Sequence, residues 1–276
     1  MNKQLIRKNK LSLSLALALG VGMAATSGTA LAVDLDNNDR LGDAGIFQYY
    51  TAQGGWQTFI RVINTSELGA SVKVRFREAA NSREVLDFII FLSPHDVWSA
   101  WTDPDGSGQG NGPGLRTADT SCLYPYQGNN LGEGWVSLGG KVKGVDFQDR
   151  AFTGDYDDNA GMASNVRMAE GHIEMIGIAQ HKARDDFTRA ITHNVDTGYP
   201  ANCSEAATLW ASAEGKGGAE GEGLDNVLAF NGYLINVSTG QGGGFDPDVL
   251  SDFVFGDAWK EDDCQDIPGV PGKESK

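Results

Sequence analysis

Residues 56–102 hold three apolar runs in close succession, each ended by turn-forming residues, and that spacing constrains the fold more than any other feature of the chain. In 71–78, Val72, Val74 and Phe76 alternate with Lys73, Arg75 and Arg77, the period-2 pattern of a strand with one wet face. Before it, 56–64 (WQTFIRVIN) is rich in β-branched and aromatic residues and ends in the turn-prone Asn64-Thr65-Ser66. After it, 79–83 (AANSR) makes a turn, and 84–92 (EVLDFIIFL) is apolar on both parities, as a strand covered on both faces is. Ser93-Pro94-His95-Asp96 breaks the pairing, and 97–102 (VWSAWT) starts another strand with Trp98 and Trp101 on opposite faces. Together these runs read as a β-meander.

The rest of the chain repeats the theme. Residues 44–51 (AGIFQYYT) read as a first strand, and 103–114 as a long glycine-rich surface loop. Residues 134–143 read as a strand weakened by a glycine pair, 144–161 as an acidic loop, and 167–179 as a central strand with Ile173, Met175 and Gly177 on one face. Residues 226–237 supply the last strong strand pair and 252–255 an edge strand. Helix is confined to 205–212, with 181–188 either a short helical turn or a solvated connection, and 213–223 is a low-complexity Gly/Glu loop. The expected fold is therefore all-β: an immunoglobulin-like antiparallel β-sandwich with long glycine- and acid-rich loops and at most one or two short helices.

Residues 1–32 have a basic start, an apolar run too short to span a bilayer and an Ala30-Leu31-Ala32 cleavage pattern, which together read as a signal peptide. The expected organisation is a signal peptide at 1–32, one sandwich domain at 33–258 and a polar tail at 259–276, with no membrane span in the mature chain. Removing the four positive charges of 1–32 takes the formal net charge from −15 to −19, which disfavours nucleic acid as a partner. Export places Cys122, Cys203 and Cys264 in an oxidising compartment. Cys122 and Cys203 sit in loop-like excursions that a cross-link would anchor, so they are the expected pair, and Cys264 is left over.

The pieces GWQTFIRVINTS, VKVRFREAANSREVLDFIIFLSPHDVW, DTSC, EGHIEMIGIA, THNVDTGYPANC and NGYLINVSTG resemble a group of exported Gram-negative proteins described only as cell-surface proteins. The resemblance implies secretion to the cell surface or periplasm, a β-rich body and a recurring cysteine at the positions of Cys122 and Cys203. It carries over no catalytic residue.

Chemistry-bearing motifs are few. His95, His172, His181 and His193 form no close metal pair beyond His172 and Glu174, two apart on one strand face, and no Gly-x-Ser-x-Gly elbow occurs in the mature chain. Calcium is the better chemical candidate, since Asp103 and Asp105, and Asp155, Asp157 and Asn159, place oxygens at alternate positions as an EF-hand loop does at its start. Neither stretch completes that pattern, because Gly114 and Val166 stand where a bidentate Glu is wanted; 34–39 is a third partial match. The expected function is a secreted or cell-surface, non-catalytic structural or adhesive protein, such as a filament or matrix subunit that self-associates through strand edges. Donation of 33–51 to a neighbour is one way to do so, and pairing of that strand inside its own sandwich is the alternative. A small-ligand or carbohydrate-binding module is the second reading, and a secreted hydrolase the third.

Overall fold

The structure, a computed structural model, describes residues 34–35, 40–212 and 224–253. The expected signal peptide, most of the acidic stretch at 34–39, the Gly/Glu loop, residues 254–255 of the expected edge strand, Cys264 and the polar tail lie outside them. In chain order the strands are β1 (Asp34–Leu35), β2 (Leu41–Gly42), β3 (Ala44–Thr51), β4 (Trp56–Asn64), β5 (Gly69–Glu78), β6 (Glu84–Leu92), β7 (Val97–Asp103), β8 (Gly114–Thr117), β9 (Cys122–Tyr124), β10 (Tyr126–Gly128), β11 (Leu131–Gly132), β12 (Val136–Gly139), β13 (Val142–Asp146), β14 (Glu170–His181), β15 (Leu228–Asn236), β16 (Gln241–Phe245) and β17 (Asp248–Ser251). Three short helices accompany them: α1 (Ser164–Met168), α2 (Asp186–Ile191) and α3 (Cys203–Ala211).

Two antiparallel sheets take nearly all the strands. The first has the order β1-β17-β3-β14-β5-β6-β9; the second has the order β12-β13-β8-β7-β4-β15-β16, with β2 beside β15. Phe47, Phe76, Ile90 and Ile173 of the first sheet meet Ile60, Val62, Trp98 and Leu115 of the second in one buried cluster, so the sheets stack as a two-layer sandwich. Strand β14 lies at the centre of the first sheet between β3 and β5, and every second residue from Gly171 to His181 is buried. Among the described residues no helix is long and apolar enough to cross a membrane.

Several local expectations are corrected. Residues 56–102 are not a meander: β4 and β7 are neighbours in the second sheet, with Phe59 opposite Trp101, while β5 and β6 pair in the first, with Val74 opposite Phe88. The chain crosses between sheets at 65–68 and again at 93–96. Fully buried Asn64 ties the two crossings together, donating to Leu68 O at 2.6 Å and Ser93 O at 3.0 Å while accepting from Ser66. Alternation identifies a strand but not its neighbour. The glycine pair at 139–140 is the turn of the β12–β13 hairpin, not a weak point in one strand. Within 226–237 there is one long strand, β15 (Leu228–Asn236), whose hairpin partner is the glycine-rich β16.

The wet face expected of β5 is largely covered. Its cations are drawn into cross-strand ion pairs: Lys73 with Asp87 at 3.3 Å, Arg75 with Glu84 at 2.8 Å and Arg77 with Glu174 at 3.1 Å. Burial lifts the Asp87 carboxyl to about 6, with Glu84 beside it pushing the same way and Lys73 opposing.

Residues 167–168, expected in a strand, close α1 instead, because Arg167 turns inward as the centre of a buried clamp. Its guanidinium lies 2.9 Å from Glu78 Oε2, donates to Asp158 Oδ1 at 2.7 Å and sits 4.0 Å from the centre of the Phe152 ring. Glu78 is fully buried and also accepts from the backbone N–H groups of Ala80, Asn81 and Arg83. Burial alone would raise its carboxyl, but the Arg167 and backbone hydrogen bonds outweigh that and hold it below its ordinary value.

Candidate functional site

Serine, histidine and aspartate do meet, but not in catalytic geometry. Ser71 Oγ lies 2.7 Å from His181 Nε2, yet Ser71 is fully buried and the imidazole is stacked on Phe187 with centroids 4.0 Å apart. Burial pushes His181 down to about 4, so it is neutral at physiological pH and packs as a polar core residue. His193 takes both Ser93 Oγ (3.2 Å) and Asp96 Oδ2 (3.4 Å) at the same ring nitrogen, Nδ1. A nucleophile and an orienting carboxylate need opposite ring nitrogens, so this set is no triad. His172 stands 3.9 Å from Glu174, but that carboxylate is already engaged by Arg75 and Arg77; His95 pairs at the surface with Glu67.

Of the oxygens expected to hold calcium, those of Asp103, Asp105 and Asp157 accept from protein donors. Asp103 Oδ1 accepts from Asp105 N, and its Oδ2 faces Gln57 Nε2 at 3.0 Å and Arg116 Nη1 at 3.3 Å. Asp105 Oδ1 accepts from Gly110 N at 2.8 Å, which makes Asp103 and Asp105 the internal ties of the 103–114 loop. In the second stretch Asp157 Oδ1 accepts from Asn159 N, Asp155 lies in a single 3-10 turn, and the intervening Asp158 turns to Arg167. Among the described residues no three His, Cys, Asp or Glu side chains converge as metal ligands do. Thermal melts in chelator and in excess calcium test the calcium expectation: a calcium-dependent rise in melting temperature would support it, and superposed curves would remove the metal from the account.

The expected disulfide is present. Cys122 on β9 and Cys203, the first residue of α3, are bridged across a sequence separation of 81. The bond pins α3 to the outer face of the first sheet, where Phe187, Ile191, Ala206 and Trp210 of α2 and α3 form a second apolar cluster with Ile89 and Phe91. Both helices are capped by side chains, Asp185 accepting from Thr188 N and Asn202 from Glu205 N.

The outer face of the second sheet has a different character. Trp101 of β7, Phe59 of β4 and Tyr233 of β15 stand opposite one another, in a row that continues to Arg116 on one side and Gly244 on the other. Phe59 and Trp101 are stacked with centroids 6.0 Å apart and planes at 21°. Tyr233 lies across β16: a Cβ added at Gly242 would stand 3.0 Å from its Cε1, and one at Gly244 3.6 Å from its Cδ2. The bare backbone at Gly242 and Gly244 thus serves as a bed for the ring. Polar pairs border the row, with Arg61 donating to Asn231 Oδ1 at 2.8 Å on one side and Gln57 and Arg116 meeting Asp103 on the other. Of these aromatic residues only Trp101 stands out in the sequence, but each sits on the polar parity of its strand, Phe59 between Gln57 and Arg61 and Tyr233 two residues from Asn231. Trp98, Trp135 and Trp210 are buried.

Strand β16 ends the second sheet. Four of its five residues are exposed, and the row Gln241-Gly242-Gly243-Gly244-Phe245 holds no charge and no proline. Beneath it, Trp56, Leu234 and Phe245 line an open cleft of about 710 Å³. Strand β3 (Ala44–Thr51) is taken up inside its own sheet between β14 and β17, and β1 pairs with β17. Comparison with protein-family models, curated proteins and solved structures finds no match.

Proposed function

We propose that this chain is a non-catalytic structural and adhesive protein, an immunoglobulin-like sandwich exported to the cell surface or periplasm of a Gram-negative bacterium, that self-associates through its strand edges. The bare edge of β16 carries this reading. Edge strands that must stay single are blunted by charge, proline or a bulge, whereas β16 offers five residues of backbone with none of these. Strand β12 (Val136-Ser137-Leu138-Gly139), at the other edge of the same sheet, also lacks charge and proline. Joining β16 of one copy to β12 of the next continues the sheet without closing it, which is the geometry of a filament. With β3 paired inside its own sheet, these edges are better placed for self-association than a donated amino-terminal strand.

Gly243 supplies the test, since a Cβ there meets nothing within 4 Å and a longer side chain fits the monomer. Light scattering and electron microscopy should show concentration-dependent assemblies of the unaltered protein and monomers of Gly243→Lys, at equal melting temperatures. Monomers from both proteins at every concentration would end the reading.

A further inference from the structure

We infer that the aromatic row on the outer face of the second sheet is a binding site for a neutral glycan. This inference is independent of the β16 edge: it uses the exposed faces of the rings, not the unpaired backbone.

Three observations point to a sugar. First, Tyr233 is held with one side on the glycine strand, leaving the other open; it is 44 % exposed and Phe59 beside it 38 %. A ring supported by backbone is a rigid platform of low entropic cost, and the C–H face of a pyranose stacks on such a ring. Second, the polar groups bordering the row are planar and already oriented, with Arg61 fixed by Asn231 and Arg116 by Asp103. Such fixed donors and acceptors suit hydroxyl groups in the plane of a sugar. The Arg116 charge is balanced by Asp103, Arg61 is held by the neutral amide of Asn231, and the chain carries −15 overall, which disfavours an anionic polysaccharide. Third, the row is narrow. Aromatic side chains offer ~150–250 Å² each, so three partly exposed rings present roughly 250 Å². That is well short of the ~800 Å² per partner in a stable protein interface. With strands about 4.8 Å apart, the row from Trp101 to Tyr233 spans roughly 10 Å, room for a short run of sugar rings along one line.

Native gels cast with neutral polysaccharides (dextran, mannan, galactomannan, hydroxyethylcellulose) or with anionic alginate test the inference on the full mature chain. Titration calorimetry with oligosaccharides of any retarding polymer gives the affinity. Retardation by at least one neutral polymer is expected, with affinity reduced tenfold or more in Tyr233→Ala and in Trp101→Ala but retained in Tyr233→Phe. The Gly243→Lys variant should bind as the unaltered chain does, which separates this site from self-association. Should Tyr233→Ala fail to fold, Phe59→Ala gives the same reading from the middle of the row. No retardation by any neutral polymer, retardation by alginate alone, or binding indifferent to both Tyr233→Ala and Trp101→Ala would overturn the assignment.

Discussion

Replacing Arg167 by alanine is expected to remove about 3–5 kcal/mol of folding stability, the loss that follows when one partner of a buried ion pair is deleted. The size of the effect comes from what stays behind. Glu78 is fully buried at the end of β5, and without the guanidinium its charge is compensated only by backbone N–H groups of the following turn. A chemical denaturation curve measures the loss. The double variant Arg167→Ala/Glu78→Gln should recover about 1 kcal/mol or more, because it removes the stranded charge as well. A single-variant loss below about 1 kcal/mol would mean that water reaches Glu78 and the clamp is not structural.

The same clamp carries a pH signature. The carboxyls of Glu78 and Asp158 are both held below their ordinary values, Glu78 against its burial and Asp158 chiefly through its hydrogen bond to Arg167. A depressed carboxyl contributes stability that is fully present above its unfolded value and lost as pH falls through the folded one. Unaltered protein should therefore lose stability steeply below about pH 4, and Arg167→Ala should show a shallower loss there. Asp43 acts with the opposite sign: burial lifts it to about 6, so stability falls as pH rises from its unfolded value of 3.8 through that point and stays lower above it. The difference between the two pH profiles isolates the clamp, since Asp43 is common to both.

What could be read from the sequence was each strand's alternation. Val72, Val74 and Phe76, and Ile173 and Met175, line the core as their spacing implies, and Trp98 and Trp101 take opposite faces. Alternation contains no information about which strand lies next door, so β4 and β7, 33 positions apart at Val97 and Asn64, were indistinguishable from members of a meander. Strand β16 was hidden for another reason: three glycines have no side chains to alternate, and their strand character comes from pairing with β15 and from the Tyr233 ring above them. Arg167 looked like the start of a strand because nothing local announces that its charge will be buried against a glutamate 89 positions earlier. The aromatic row has the same origin, since it exists only once the registers of β7, β4 and β15 bring Trp101, Phe59 and Tyr233 opposite one another. The disulfide was legible because the expected export makes pairing the default and the sequence around Cys122 and Cys203 reads as two comparable excursions, although the structure sets them on β9 and at the start of α3.

Removing the Cys122–Cys203 bridge, by reduction or in Cys122→Ala/Cys203→Ala, is expected to cost about 4 kcal/mol and roughly 10 °C in melting temperature. The figure follows from the chain-entropy account of a cross-link closing a loop of this size. Its separation of 81 residues is large, so the unfolded chain gains much freedom when the bridge is cut. The loss should also appear first in one place. Helices α2 and α3 are six and nine residues long, too short to persist without tertiary contacts. Apart from the bridge, they are held to the first sheet by packing such as Phe91 against Phe187 at 4.9 Å and against Trp210 at 5.3 Å. Hydrogen exchange in the reduced protein should accelerate in 186–211 while β5 and β14 keep their protection, because those central strands are secured by the main core. Uniform acceleration across both sheets would instead show that the helical layer and the sandwich unfold as one unit, and an unchanged denaturation midpoint would show that the aromatic cluster alone holds the layer down.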